Sequence, residues 1–233
     1  KFPHKENEGE TLEQLKGKLK SNEVACFIYE PLIQGSSGMR MYSKGVLDEM
    51  IAMCKQEEVI CIADEVMTGF GRTGRMFASD HLSQLPDICC LSKGLTGGTM
   101  ALGVTSCTDA IMDAYRSDDI LKTFFHGHSF TANPIACAAS IASLELLDTS
   151  ETKENLLVIE KQQAKFVEKI SLHPSVRSAR HMGTIAALEI DSFKDTSYFN
   201  EARHQLYPFF LKRNILLRPL GNVVYVLPPY IIK

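Results

Sequence analysis

Two ionisable residues close short apolar runs in the same manner. Asp64 ends VICIAD and Lys93 ends ICCLSK, and each leads into a glycine-rich turn, TGFGRTG and GLTGG respectively. A primary amine and a carboxylate held together suit imine chemistry. The amine bonds to an aldehyde, and the carboxylate favours the charged form of a nearby ring nitrogen. That is the donor set of a pyridoxal phosphate site. Positioning them falls to the apolar runs at 59–63 and 88–91. Such runs, without polar alternation, suit strands covered on both faces of a parallel sheet. Ligands bind such sheets beyond the carboxyl ends of the strands, so Asp64 and Lys93 are expected at one rim.

Each candidate also has a plainer reading. A lysine in a turn is usually a solvated surface residue. An aspartate at a strand end often caps the next helix, although the adjacent Glu65 could supply that cap alone. Arg72 and Arg75 in GFGRTGR fit a surface turn. His126 and His128 are spaced i, i+2 without neighbouring Cys or carboxylate partners, which is a poor zinc pattern, so no metal is expected.

Composition sets the class. With 45% hydrophobic and 23% charged residues the chain reads as an ordinary globular protein. A net charge of −3 with no basic block argues against nucleic acid and anionic membrane. No apolar run approaches the roughly 20 residues of a spanning helix, and KFPHKENEGE is not a signal peptide. Seven cysteines without a CxxC pair, several inside apolar runs, suit small buried hydrophobes in a reduced, cytoplasmic protein.

In chain order, residues 1–23 are polar and contribute no core; Thr11 with Gln14 makes a capping box for a short surface helix. Residues 24–29 read as a buried strand that stops at Pro31, followed by a Gly/Ser-rich loop. Val46, Leu47, Met50, Ile51 and Cys54 fall at helical period, so strand, helix and strand make a βαβ unit. Another apolar run spans 101–106, and a short helix follows at 109–115. Pro134 opens a helix rich in Ala and Ser, 135–147, suited to close packing against another helix or a second subunit. The character changes near 148–151. A charged helix runs to about 170, then strands at 176–181 and 184–190, a helix at 201–213, and strands at 215–218 and 223–227. We therefore expect two domains, 1–148 and 149–233, the second α+β.

IADEVMTGFGRTG followed by CLSKGLTGGTMALGVT, with HGHSFTANPIACAAS and LLRPLGNVVYVLPPYII beyond, resembles the class III (ω-type) aminotransferases from about residue 25 to the end. The resemblance implies an α/β fold of the aspartate aminotransferase type (fold type I of the pyridoxal phosphate enzymes). Residues 1–148 would be the C-terminal part of its large domain and 149–233 its truncated small domain. It implies Lys93 as the residue that binds the cofactor covalently and moves the substrate proton, with Asp64 at the cofactor's ring nitrogen. Many members carry Gln where this chain has Met67. Arg72 would lie near the substrate channel, Arg218 would receive a substrate carboxylate, and Tyr225 would line the same pocket or sit in the core. Gly127 would contact substrate, and His128 and Ser129 would bind the phosphate in the neighbouring subunit of a homodimer with shared sites. The last two motifs are most similar to the branch that transaminates 8-amino-7-oxononanoate, a step of biotin synthesis with S-adenosylmethionine as amino donor. Alternatives are another ω-aminotransferase of the class, or a non-catalytic remnant of the fold. Family members are longer, so the resemblance implies the C-terminal part of a larger protein, inactive alone, with the main phosphate loop and stacking aromatic upstream.

Overall fold

The computed structural model describes residues 7–191, 196 and 199–232; residues 1–6 of the polar N-terminal stretch lie outside them. The chain opens with α1 (Glu8–Leu19), β1 (Cys26–Tyr29), β2 (Ile33–Gln34), β3 (Arg40–Met41), α2 (Lys44–Gln56) and β4 (Ile60–Asp64). It continues through β5 (Ile88–Leu91), β6 (Val104–Cys107), α3 (Asp109–Asp113), α4 (Pro134–Asp148) and α5 (Ser150–Ile170). It closes with β7 (Val176–Met182), β8 (Ile185–Ile190), α6 (Ala202–Leu211) and β9 (Val223–Val226).

One sheet has the order β1-β4-β5-β6 and another β7-β8-β9, with β2 and β3 forming a separate antiparallel pair. β1, β4 and β5 run parallel, Tyr29 facing Ala63 and Asp64 facing Cys90. Helix α2 makes the crossover. Ser43 caps it by accepting the Val46 N–H, and Leu47, Met50, Ile51 and Cys54 form its buried stripe. Residues of both sheets, among them Tyr29, Cys61, Ile185, Ala187 and Val223, join one hydrophobic core, with β2–β3 between them. Arg180 fastens that hairpin to β7. Its Nε donates to the Met39 carbonyl at 2.7 Å, and Nη2 donates to the Gly38 carbonyl. No helix among the described residues is long and apolar enough to cross a membrane.

Several expectations are corrected. The first helix begins a turn earlier than the capping box implied. Glu8 is drawn to the start of α2, where its carboxylate accepts from Ser43 N–H at 2.6 Å and from Ser43 Oγ at 3.0 Å. Thr11 therefore lies inside α1 and donates to Asn7 O. The stretch does contribute to the core, since Leu19 is buried there and Leu15 packs against it. The Gly/Ser-rich loop contains the β2–β3 hairpin, whose inward residues Ile33 and Met41 face that core. β6 runs antiparallel to β5, and its residues are exposed. No strand forms at 215–218: an apolar run makes a strand only where a ladder partner exists, and the chain instead reverses in the turn between Leu220 and Val223.

The β7–β8 turn bears directly on the backbone of the loop that follows β4. Gly183, in the β7–β8 turn at φ +52°, leaves no room for a side chain: a Cβ there would lie 2.4 Å from Thr73 C and 2.5 Å from Gly74 N. Next to it, Thr184 N–H donates to Arg72 O at 2.9 Å. Gly183→Ala should destabilise the fold by about 2–4 kcal/mol, from left-handed strain plus overpacking. A urea melt within about 0.5 kcal/mol of wild type would contradict this account.

Candidate active site

The local fold around Asp64 is organised by its neighbour. Glu65 has 0% exposure, and its carboxylate accepts four hydrogen bonds. Oε2 takes Thr68 Oγ1 at 2.5 Å and Ala78 N–H at 3.0 Å, while Oε1 takes Ser79 N–H and Ser79 Oγ, both at 2.7 Å. A buried carboxylate needs such donors to offset its lost hydration. The segment between Glu65 and Ser79 must therefore return to the strand end, carrying Met67, Phe70 and Arg72. Asp64 itself accepts the Val66 N–H at 3.0 Å. That is a turn of the Asx type rather than a helix cap.

Lys93 begins a short 3-10 turn, Lys93–Thr96, and takes φ +45°. A side-chain-bearing residue costs roughly 1–2 kcal/mol in that conformation, so its surroundings must impose it. Ser92 Oγ donates to Leu102 O at 2.7 Å before the turn. Helix α4 then seats the turn: Ser140 Oγ donates to Leu95 O and Ser143 Oγ to Gly94 O. The small residues of α4 thus serve contact with the Lys93 turn. Phe70 presses on Gly94 from the other side, and a Cβ on Gly94 would meet Phe70 Cδ2 at 2.9 Å.

Lys93, Met67, Arg72 and Tyr230 share one cavity of about 750 Å³, which extends past Leu147 to Glu151. Tyr230 Oη donates to Phe70 O at 2.7 Å, and Arg72 lies over the Tyr230 ring with Cζ 4.5 Å from its centroid. Arg72 Nη1 also donates to Pro228 O at 2.8 Å. The C-terminal segment and the 65–79 loop therefore clasp each other across the cavity wall.

The remaining candidates lie apart. Tyr225 on β9 packs against the shared core, and Arg218 is exposed; neither lines the cavity. Gly127, His128 and Ser129 are exposed on a loop outside it. The His128 N–H is used within that loop, donating to Thr131 Oγ1 at 2.9 Å. Sequence reasoning passed over Phe70 and Tyr230 and weighed Glu65 only as a helix cap. An acid with Thr at i+3 hinted at Glu65, but its donors from Ala78 and Ser79 are distant in sequence.

Two stability predictions follow from these contacts. Glu65→Gln replaces an acceptor by a donor and leaves N–H groups unpaired, so unfolding free energy should fall by about 2–4 kcal/mol. Chemical denaturation measures it, and a loss under about 1 kcal/mol would remove Glu65 from this role. Burial, against the opposing effects of Arg72 and Thr184, pushes the Tyr230 phenol from 10.0 to about 12. Its neutral form is the one favoured by folding, so its contribution is complete below pH 10 and is lost as pH rises through about 12. Tyr230→Phe should cost about 0.5–1.5 kcal/mol at neutral pH, and that difference should narrow in alkali. A difference independent of pH would refute the assignment.

The sequence matches the family described as Aminotransferase class-III over residues 3–233. It is 45% identical, over 212 residues, to adenosylmethionine-8-amino-7-oxononanoate aminotransferase of Synechococcus elongatus, covering 91% of this chain and 49% of that protein. The enzyme of the same name from Mycobacterium leprae is 38% identical, with 90% and 46% covered. The chain spans about half the length of the curated relatives it matches. Among solved structures, adenosylmethionine-8-amino-7-oxononanoate aminotransferase of Methanocaldococcus jannaschii superposes with a TM-score of 0.87 at 34% identity, covering 95% of this chain and 53% of that one. An ornithine aminotransferase of Toxoplasma gondii gives 0.82 at 29% identity, with 95% and 50% covered. The α/β fold expected from the motifs is that of these aminotransferases, and the chain belongs to the class III aminotransferase family.

Proposed function

We propose that the complete protein is a pyridoxal phosphate-dependent aminotransferase that converts 8-amino-7-oxononanoate to 7,8-diaminononanoate, with S-adenosylmethionine as amino donor. The observation that carries this reading is that Asp64 ends β4 and Lys93 follows β5, its parallel neighbour, in a chain 45% identical to a relative named for that substrate. The residues fit the cofactor's chemistry: an amine on the cavity wall, and a carboxylate held at the neighbouring strand end by the Val66 N–H. When bound, the cofactor supplies an electron sink for the substrate carbon that loses its proton.

The chain's own residues do the rest. Lys93 Nζ would hold the cofactor covalently and, once displaced by the substrate amine, would move a proton between the substrate carbon and the cofactor. Asp64 keeps the ring nitrogen charged. Arg218 receives the distant carboxylate; its exposure leaves the guanidinium accessible, whereas Arg72 is engaged by Pro228 O and the Tyr230 ring. Gly127 contacts substrate, and His128 and Ser129 hold the phosphate of the neighbouring subunit's site, while Tyr225 serves the core. The phosphate role of Ser129 in a neighbouring site is what implies a homodimer with shared sites. Free thiols at all seven cysteines suit a cytoplasmic enzyme. The separate sheets support domains 1–148 and 149–233, joined at Thr149, which ends α4 and caps α5.

Borohydride reduction of the cofactor-loaded complete protein, followed by peptide mapping, should label Lys93 and nothing in Lys93→Ala. Label on another lysine, or none, defeats the proposal. Turnover with 8-amino-7-oxononanoate should exceed that with ornithine; the reverse would assign a different substrate within the class.

A further inference from the structure

The cavity that Lys93 lines continues along the junction of α4 and α5 to Glu151, Thr152 and Asn155. The start of α5 is fixed there. Thr149 Oγ1 accepts the Thr152 N–H at 3.3 Å, and Thr152 Oγ1 donates to Leu146 O at 2.8 Å. Leu156 then packs on Gly71, where a Cβ would lie 3.2 Å from Leu156 Cδ1. Glu151 and Asn155 are four residues apart and so share one face of α5, and that face is held against the cavity.

The polar groups at this end differ in what they have left to offer. Thr152 commits its hydroxyl to Leu146 O, and Lys153 Nζ is paired with Asp148 at 2.6 Å. The exposed Glu151 carboxylate and the half-buried Asn155 amide have no side-chain partner among the described residues. Glu151 is also the one acid among the described residues that line the cavity. An acid in the first turn of a helix is common, because the helix N-terminus favours negative charge. That does not account for the unpaired amide on the same face, nor for the continuity of both with the Lys93 cavity. An unpaired carboxylate beside an unpaired amide attracts a cation with N–H groups to donate, and repels a carboxylate. Arg218 lies outside this cavity. The two substrates of a transaminase use one reacting centre in turn, so distal groups of opposite charge call for separate places.

We propose that Glu151 and Asn155 are specificity-determining residues for the amino donor, receiving the cationic, N–H-bearing distal part of a donor whose amine is presented at Lys93. The inference rests on the proposed function in that Lys93 marks the reacting centre and S-adenosylmethionine, a sulfonium with an adenine amino group, is the donor. It separates the two substrates by charge: the anionic end of the oxononanoate goes to Arg218 and the cationic end of the donor to Glu151.

The test uses the complete protein carrying Lys93→Ala, which cannot turn substrates over, and measures affinity by calorimetry. The ligands are S-adenosylmethionine and S-adenosylhomocysteine, its thioether counterpart without the sulfonium charge. At low salt the sulfonium should bind more tightly. Adding Glu151→Gln should weaken the sulfonium about fivefold and the thioether less than about twofold, so that the preference disappears. Rising salt should shrink the difference in the parent. Asn155→Ala should weaken both adenosyl ligands alike, by about threefold, because it removes a hydrogen bond and no charge. The anionic 8-amino-7-oxononanoate should bind Glu151→Gln no more weakly than it binds the parent. Equal losses of sulfonium and thioether in Glu151→Gln, or no loss of either, overturn the proposal. So does a matching loss of oxononanoate affinity, which a merely structural disturbance would produce. If neither adenosyl ligand binds the parent, the donor named in the proposed function fails, and cadaverine against pentylamine decides the cation site: a diamine preference lost in Glu151→Gln upholds it, and no preference overturns it. Should Asn155→Ala not fold, Glu151→Gln decides alone.

Discussion

Burying the Glu65 carboxylate is favourable only while four donors surround it, and that requirement shapes the site. Thr68, Ala78 and Ser79 supply the donors, so the chain must leave β4, travel through a glycine-rich loop and come back to the strand end. An uncompensated buried carboxylate costs several kcal/mol, which makes the loop path nearly all-or-none. Everything the loop carries, Met67, Phe70 and Arg72 included, takes its place from this closure.

From there the constraints propagate by contact. Phe70 lies on Gly94, where no side chain could fit, and so bounds the turn that carries Lys93. Two serines of α4 hold the same turn from the opposite side. Backbone strain at Lys93 is sustained because both sides are occupied. The second sheet completes the enclosure: its Gly183–Thr184 turn bears on Arg72 and Thr73, and the segment after β9 brings Tyr230 to Phe70. The cavity is therefore a joint product of the two sheets, as is the core that unites them.

The two arginines singled out by motif acquire different characters in this setting. Arg72 is committed to the Pro228 carbonyl and to the Tyr230 ring, contacts that hold the cavity wall together. Arg218 is exposed. A guanidinium already bound to neutral acceptors is a poorer receptor for a mobile carboxylate than one in solvent, because the carboxylate must first displace those bonds.

Local pattern alone determined much of this protein. Periodicity located α2, and the apolar runs before Asp64 and Lys93 are parallel neighbours in the sheet, because buried strands and helical stripes leave their period in the sequence. The motifs likewise carried the family. The tertiary structure decided what depends on partners far along the chain. It turned the run at 215–218 away from any ladder, reversed β6, moved the start of α1 to meet Ser43, and made Glu65 the anchor of the site loop. A strand needs a neighbouring edge and a buried acid needs donors; neither is encoded within the few residues around it, so only the folded chain could settle them.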